Sequence, residues 1–206
     1  MNRLRFHLAR LFRDEAALAT VSDTQQALLS GITGKRLALV GNARSLEERD
    51  EGAMIDAADL VIRINRAPMP AARSHGTRCD WLALATTIPA ADLARLNPSR
   101  LLWMSHKRKR LSWDAARRPG FYLHPLADWR ALGDRLGAPP TTGLMMIELL
   151  MRAEIAGLAL HGFDFFASLS LTGSRRADQV PHDFAAERRF VMALADRDPR
   201  LQVFGT

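Results

Sequence analysis

Apolar positions in this chain follow two habits: short continuous runs, and longer segments in which they recur at helical spacing. The first 33 residues are of the second kind. In MNRLRFHLARLF, Leu4, Leu8, Leu11 and Phe12 share one helical face, and Asp23 stands as an N-cap before TQQALLSGI, with Gly31 or Gly34 as stops. Arg36–Val40 then predicts a buried strand and DLVIRIN (59–65) a second. The polar stretch between them predicts a helix whose acidic first turn, Glu47 and Glu48, suits the helix dipole. CDWLALAT and RLLWMS predict strands three and four, with ADLARLNP a short helix ending before Pro98. KRKRLSWDAARRPG (107–120) is a basic loop or helix, FYLHP a short strand, and LADWRALGDRLG a helix stopped by Gly137. TTGLMMIELLMRAEIAG predicts a long helix, and LALHGFDFF (158–166) a strand running into a turn. SLSLTGSRRADQVPHD has no periodicity and predicts a loop of about 16 residues, a length usually kept for function. DFAAERRFVMALADRDP predicts a closing amphipathic helix and RLQVFG a final strand.

Strands alternating with helices predict an α/β fold: one Rossmann-like domain with a mostly parallel sheet covered by helices on both faces. The organisation expected is a helical segment over 1–33 ahead of a domain over 34–206. Ligands of such sheets bind beyond the carboxyl ends of the strands. That rule gathers Gly41-Asn42, Asn65-Arg66, the Thr141-Thr142-Gly143 turn and Gly162-Phe163 at one edge.

At 206 residues, 48% hydrophobic and 25% charged, the chain has the composition of a soluble globular domain. A formal charge of +7, almost all of it arginine, favours anionic partners without choosing among nucleotide, nucleic acid, phospholipid and acidic glycan. Cys79 is the single cysteine, which excludes an intramolecular disulfide and suits a reducing, cytoplasmic compartment. With His75 four residues away it makes two ligands, too few for a metal site; a surface histidine and a buried thiol are expected there. No apolar run approaches the length of a membrane span. The Arg-rich amino terminus suits either a packing helix or peripheral contact with an anionic membrane at its inner face. The KRKR run (107–110) has only Trp103 and Trp113 nearby, a poor base-stacking platform, so nucleic acid is not expected.

Several short motifs offer chemistry. Gly41 lets the chain turn without a Cβ, and the Asn42 amide either caps its own backbone or binds a phosphate oxygen or sugar hydroxyl without adding charge. This is neither a G-x-G-x-x-G nor a G-K-[ST] loop. RINRAP puts Arg63 and Asn65 on the same side of a strand, either facing an anion or at a solvated edge. PPTTG ahead of a helix offers hydroxyls and free N–H groups, as an N-cap or as an anion seat. In PHDFAAE, His182 at a helix start is a candidate general base, and Glu187, five residues on, is poorly spaced to orient it.

In order along the chain, LALVGNARSLEERDEGAMIDAADLVIRINRAP, PTTGLMMIELLMRAEIAGLALHGF and HDFAAE resemble the large, small and very small sialylmotifs of family 29 glycosyltransferases, the sialyltransferases. With GTRCD and FYLHP the resemblance spans roughly residues 36–190. A more distant resemblance, through "GN…SL" and GFDFF, is to family 42 sialyltransferases. It implies a compact relative of the bacterial kind with a sialyltransferase-type, GT-A-like variant fold. It also implies a CMP-activated donor, carrying sialic acid, a related nonulosonate or Kdo, and a glycan or glycolipid acceptor. Asn42 and Asn65 match asparagines that contact CMP. Thr141-Thr142-Gly143 match the Ser-Thr-Gly turn at cytidine and the sugar carboxylate, and Gly162, beside Phe163, matches the glycine that makes room for cytosine. His182 matches the general base of an inverting single displacement. Because CMP leaves with one phosphate, hydrogen-bond donors can take the place of a metal, so no metal and no cofactor are expected.

Three departures qualify that resemblance. Leu37 and Ile155 stand where animal members carry a disulfide. The family's His-Tyr pair has no match in 164–181, leaving Arg66, His161, Arg175 or Arg176 to substitute at the phosphate. A stem and membrane anchor are also missing from this sequence. The competing readings are a catalytically degenerate CMP-binding relative and a basic module for anionic membrane or nucleic acid.

Overall fold

The computed structural model of the chain describes residues 1–165, 171 and 181–205. Seven strands form one sheet: β1 (Arg36–Val40), β2 (Leu60–Ile64), β3 (Trp81–Leu84), β4 (Arg100–Trp103), β5 (Tyr122–Leu123), β6 (Gly157–His161) and β7 (Leu201–Val203). Their order is β5-β4-β3-β2-β1-β6-β7, and every pairing is parallel. The short runs read as strands are therefore buried on both faces, which is why they lack a polar alternation.

Helices cover both faces. Among the described residues these are α1 (Arg3–Phe12), α2 (Glu15–Ala19), α3 (Gln25–Ser30), α4 (Gly52–Asp56), α5 (Ala72–His75), α6 (Ala90–Leu96), α7 (Trp113–Ala116), α8 (Leu126–Leu136), α9 (Thr142–Leu150) and α10 (Phe184–Ala195). On one face Leu37, Leu39, Ile62 and Leu160 pack with α3, α8, α9 and α10. On the other, Leu82, Leu101 and Trp103 pack with α1, α2 and α7, while Ala38, Val40 and Val61 pack on Ile55 of α4. The first 33 residues thus supply both cores: Phe6 and Leu18 join Trp103, and Leu28 and Ile32 join Leu37. Leu37 and Ile155 lie in the same apolar cluster.

Some boundaries differ from expectation. Thr24, not Asp23, caps α3, its hydroxyl accepting from the Ala27 N–H at 3.1 Å, because Asp23 is engaged by Arg100. Residues 42–56 hold a 3-10 turn (Arg44–Glu48) and then α4 instead of one helix. A Cβ on Gly52 would overlap the Ala72 carbonyl oxygen, so α4 begins where its backbone rests on α5. The helix expected over 141–157 stops at Leu150, where the chain turns to enter β6. Gly137 at φ +72° and Asn97 at φ +41° end α8 and α6 in the left-handed conformation, as the sequence predicts for the former and Pro98 enforces beyond the latter. The long loop expected after β6 lies mostly outside the described residues.

Candidate active site at the carboxyl edge of the sheet

Strands β1 to β5 are laid down in one direction, and the chain then returns to add β6 on the other side of β1. The switch point lies between β1 and β6, where an open parallel sheet splits its loops into a crevice. Two sequence motifs meet there. The Gly41 N–H donates to the His161 carbonyl at 2.8 Å and the Ala43 N–H to the Gly162 carbonyl at 3.2 Å. A Cβ on Gly41 would overlap the Gly162 oxygen, and Gly162 itself sits at φ +67°. Both glycines are therefore required by backbone proximity and conformation.

Asn42 spans to the next strand, its Nδ2 donating to the Ile64 carbonyl at 3.2 Å. Asn65, at φ +56°, spans one strand further, its Oδ1 accepting from the Ala85 N–H at 2.9 Å. The two amides thus stitch the ends of β1, β2 and β3, and among the described residues the Asn65 Nδ2 donors and the Asn42 Oδ1 acceptor make no further hydrogen bond.

The helix α9 starts over this edge. A Cβ on Gly143 would lie 2.7 Å from Phe163 Cε1 and 3.6 Å from Ile64 Cδ1, so its first turn rests on the residue beyond β6 and the end of β2. Thr141 is consumed internally. Its hydroxyl accepts from the Leu144 N–H at 3.2 Å and donates to Glu187 at 2.7 Å, and its N–H donates to the other Glu187 oxygen at 2.7 Å. The N–H groups of Thr142 and Gly143, both buried residues at this mouth, have no intrahelical acceptor, and the Thr142 hydroxyl lies in the same first turn. Burial pushes the Glu187 carboxyl up to about 7 against the lowering effect of both Thr141 bonds.

His182, ahead of α10, bonds through Nδ1 to the Pro139 carbonyl at 2.8 Å. A carbonyl only accepts, so Nδ1 carries the proton in the neutral ring and Nε2 holds the lone pair. Glu187 belongs to Thr141 and not to His182.

Other expected residues lie elsewhere. His161 is fully buried on the opposite face of the sheet, bonded to Glu51 at 2.7 Å and stacked on Phe204 at 4.9 Å. Its position at the end of β6 suggested access, but strand alternation turns its ring away from α9, so it is no phosphate ligand. Arg66 is drawn to Asp92 of α6 at 3.1 Å. Arg63 faces neither anion nor solvent. It is 1% exposed and donates to the carbonyls of Arg78 and His75, at 2.6 Å each, pinning the turn after α5. His75 is buried as well, not at the surface, and bonds Ser74 through Nδ1 at 2.8 Å. Cys79 is buried, and burial pushes its thiol up to about 12. Arg175 and Arg176 lie outside the described residues.

Two features escaped the sequence reading. Ser45 bonds Asp164 at 3.2 Å across the β1/β6 crevice. An Asp-x-Asp triplet exists at Asp196–Asp198, but it precedes β7 at the opposite edge of the sheet, and Asp198 is held by Arg200 at 2.7 Å. Among the described residues no group of three or more His, Cys, Asp or Glu is disposed to hold a metal ion, and no helix is long and apolar enough to cross a membrane.

The family model of glycosyltransferase family 29 (sialyltransferase) matches residues 9–99. That stretch contains the Gly41-Asn42 and Asn65 turns and stops before the α9 mouth. No curated protein sequence matches the chain. Among solved structures, a mammalian sialyltransferase superposes with a TM-score of 0.64 at 20% identity, covering 98% of this chain and 79% of that one. A mammalian sialyltransferase in complex with Gal-beta-1-3GalNAc-ortho-nitrophenol gives 0.62 at 18% identity, over 91% and 76%. The sialyltransferase CstII from Campylobacter jejuni, in complex with cytidine-5'-monophosphate, gives 0.56 at 14% identity, over 83% and 80%. The chain thus carries the family 29 sequence pattern over residues 9–99, on a sialyltransferase fold that extends over nearly its whole length.

Proposed function

We propose that the protein is an inverting glycosyltransferase that moves a sialic acid, or a related nonulosonate or Kdo-type sugar, from a CMP-activated donor to a hydroxyl of a surface glycan. The observation that carries this reading is a convergence at one sheet edge. The first turn of α9 rests on Phe163 and on Ile64, the residue whose carbonyl Asn42 holds and which precedes Asn65. His182, bonded to Pro139 just ahead of that turn, carries an imidazole whose Nε2 is an acceptor. Asn42 and Asn65 would hold the nucleotide, and the Thr142 and Gly143 N–H groups the phosphate or sugar carboxylate.

In the proposed step the acceptor hydroxyl gives its proton to His182 Nε2, and its oxygen attacks the anomeric carbon. The bond from that carbon to the phosphate oxygen breaks on the opposite face, and its electron pair leaves with CMP. The Pro139 carbonyl stabilises the imidazolium through Nδ1–H. The leaving group carries a single phosphate, so fixed N–H donors suffice for the developing charge, and neither metal nor cofactor is invoked.

A screen of CMP-sialic acid and CMP-Kdo hydrolysis by purified protein tests the reading, with thermal shifts by CMP against UMP and GMP. Selective stabilisation by CMP with turnover of one donor is expected. CMP binding without turnover of either donor would favour a degenerate relative, and indifference among the nucleotides would remove the assignment. We also propose that α1 touches an anionic membrane at its cytoplasmic face, because Leu4 (69%), Leu8, Leu11 and Phe12 (75%) are exposed along it beside Arg3, Arg5 and Arg13.

A further inference from the structure

A second cleft, of about 920 Å³, opens beyond the carboxyl ends of β4 and β5, on the same edge as the β1/β6 crevice. We propose that it binds an acidic saccharide, a sugar bearing a carboxylate or phosphate, and that this is the acceptor of the reaction; the acceptor role rests on the transferase reading above.

Arg13, Lys107, Lys109, Arg110 and Arg130 line the cleft, and none has a carboxylate partner among the described residues. The one acid in the lining, Glu15, is already committed to Arg108 at 2.8 Å. Five cations around one concave surface repel each other, and the arrangement is relieved by a bound anion.

The cleft is built, not a chance gathering of surface arginines. Arg108, in the middle of the KRKR run, is 2% exposed. It bonds the Glu15 carboxylate, the Ser105 carbonyl at 2.7 Å and the His124 carbonyl at 2.6 Å. One buried guanidinium thereby ties α2 to the loops after β4 and β5, and its neighbours in sequence are left at the rim.

The lining also has an aromatic surface. Trp129 of α8 is half-buried and stacks on His106 with ring centroids 4.4 Å apart. The C–H face of a sugar ring packs on such a surface while its charged substituent meets the cations. One indole–imidazole pair inside a concavity is a poor platform for successive bases, and a lipid surface needs protruding apolar side chains, which this chain carries on α1 instead.

His106 links the cleft to the proposed base. Its pKa is lowered by burial first, then by Lys107, Arg108 and Arg110, and also by His182, so the two imidazoles are electrostatic neighbours. Three strand spacings, roughly 14 Å, separate the end of β1, at the crevice, from that of β4. That is the reach of about three sugar units.

The test is calorimetric titration of the full chain with digalacturonate, galactose 6-phosphate and neutral lactose, each at low and high salt, with CMP titrated in parallel. Lys109→Glu/Arg110→Glu and Trp129→Ala are the variants. At least one acidic saccharide should bind about tenfold or more tightly than lactose, weaken at high salt, and fall to the lactose level in the charge-reversed variant. Trp129→Ala should weaken acidic and neutral sugars alike, and CMP affinity should stay within about twofold in both variants, which also reports that they fold. Equal affinity for lactose, or retained acidic binding in the charge-reversed variant, would overturn the proposal. So would binding of anionic phospholipid vesicles through these cations with no acidic saccharide bound. If acidic sugars bind but CMP does not, the cleft stands as a binding site and the transferase reading falls. If CMP binds but acidic sugars do not, the reverse holds.

Discussion

The Glu187 carboxylate holds Thr141 at two points, accepting from its backbone N–H and from its hydroxyl, each at 2.7 Å. This pair joins the start of α10 to the cap of α9 and so fixes where the helix mouth opens. Burial raises the Glu187 pKa from 4.5 to about 7, so between those values the folded chain keeps a proton that the unfolded chain has released. The stability this contributes is complete below about 4.5 and is lost as pH rises through 7. It amounts to at most about 3 kcal/mol. Glu187→Gln removes the charge, keeps an oxygen to accept from the Thr141 N–H, and offers an amide N–H to the Thr141 hydroxyl in place of the second acceptor. Thermal melts of the parent should fall between pH 5 and 8 relative to this variant; parallel curves would mean that Glu187 is ionised throughout.

His182→Ala should lower turnover of the CMP-sugar by roughly two to four orders of magnitude, with CMP affinity nearly unchanged. Substitution of His124 or His161, the other histidines near the strand ends, is not expected to mimic it. Each is 2% exposed or less, and burial lowers both, His124 to about 4. Single-turnover kinetics with each variant separate the cases. Activity that survives in His182→Ala would move the base to His106, the exposed imidazole at the neighbouring cleft.

Two glycines make a matched pair. At Gly41 a Cβ would overlap the Gly162 carbonyl oxygen, a backbone atom that cannot retreat without separating β1 from β6. Gly41→Ala should cost more than about 3 kcal/mol and remove CMP binding with it. Gly133 lies inside α8, where a Cβ finds its nearest neighbour at 3.5 Å, an ordinary contact. Gly133→Ala should instead add about 0.5–1 kcal/mol by restricting the unfolded chain. Chemical denaturation of the two variants reads both signs.

The strands were legible because a sheet buried on both faces needs continuous apolar runs, and β1 was predicted to the residue. Gly41-Asn42, Gly162-Phe163 and the α9 mouth could be put at one edge from strand direction alone, since parallel strands share their carboxyl ends. What strand reading could not supply was side-chain facing. His161 and Arg63 sit at or near strand ends, as ligands do, yet both face the α4 and α5 side and are sealed there. Thr141 read as either an N-cap or an anion seat, because a hydroxyl at a helix start suits both; the bonds to Leu144 and the distant Glu187 make it a structural cap. Arg108 is hidden for the same reason. Within KRKR nothing local distinguishes the one guanidinium that Glu15, 93 residues away, draws inside.

The last expectation concerns α1. Phe6 and Ala9 are buried on its inner side, while Leu4, Leu8, Leu11 and Phe12 remain exposed along the outer one. A helix so divided leaves an apolar stripe without cover among the described residues, beside the exposed cations Arg3, Arg5 and Arg13. Near an anionic bilayer each such cation contributes about 1 kcal/mol, acting within a screening length of about 8–10 Å. The chain should therefore sediment with anionic vesicles at low salt, come off as salt rises, and ignore zwitterionic ones. Leu8→Glu/Phe12→Glu changes only exposed positions, so it should abolish sedimentation while leaving the melting temperature and CMP binding in place. If the variant and the parent partition equally, the stripe has no part in attachment and the arginines alone account for it; salt-resistant sedimentation would instead assign attachment to apolar insertion.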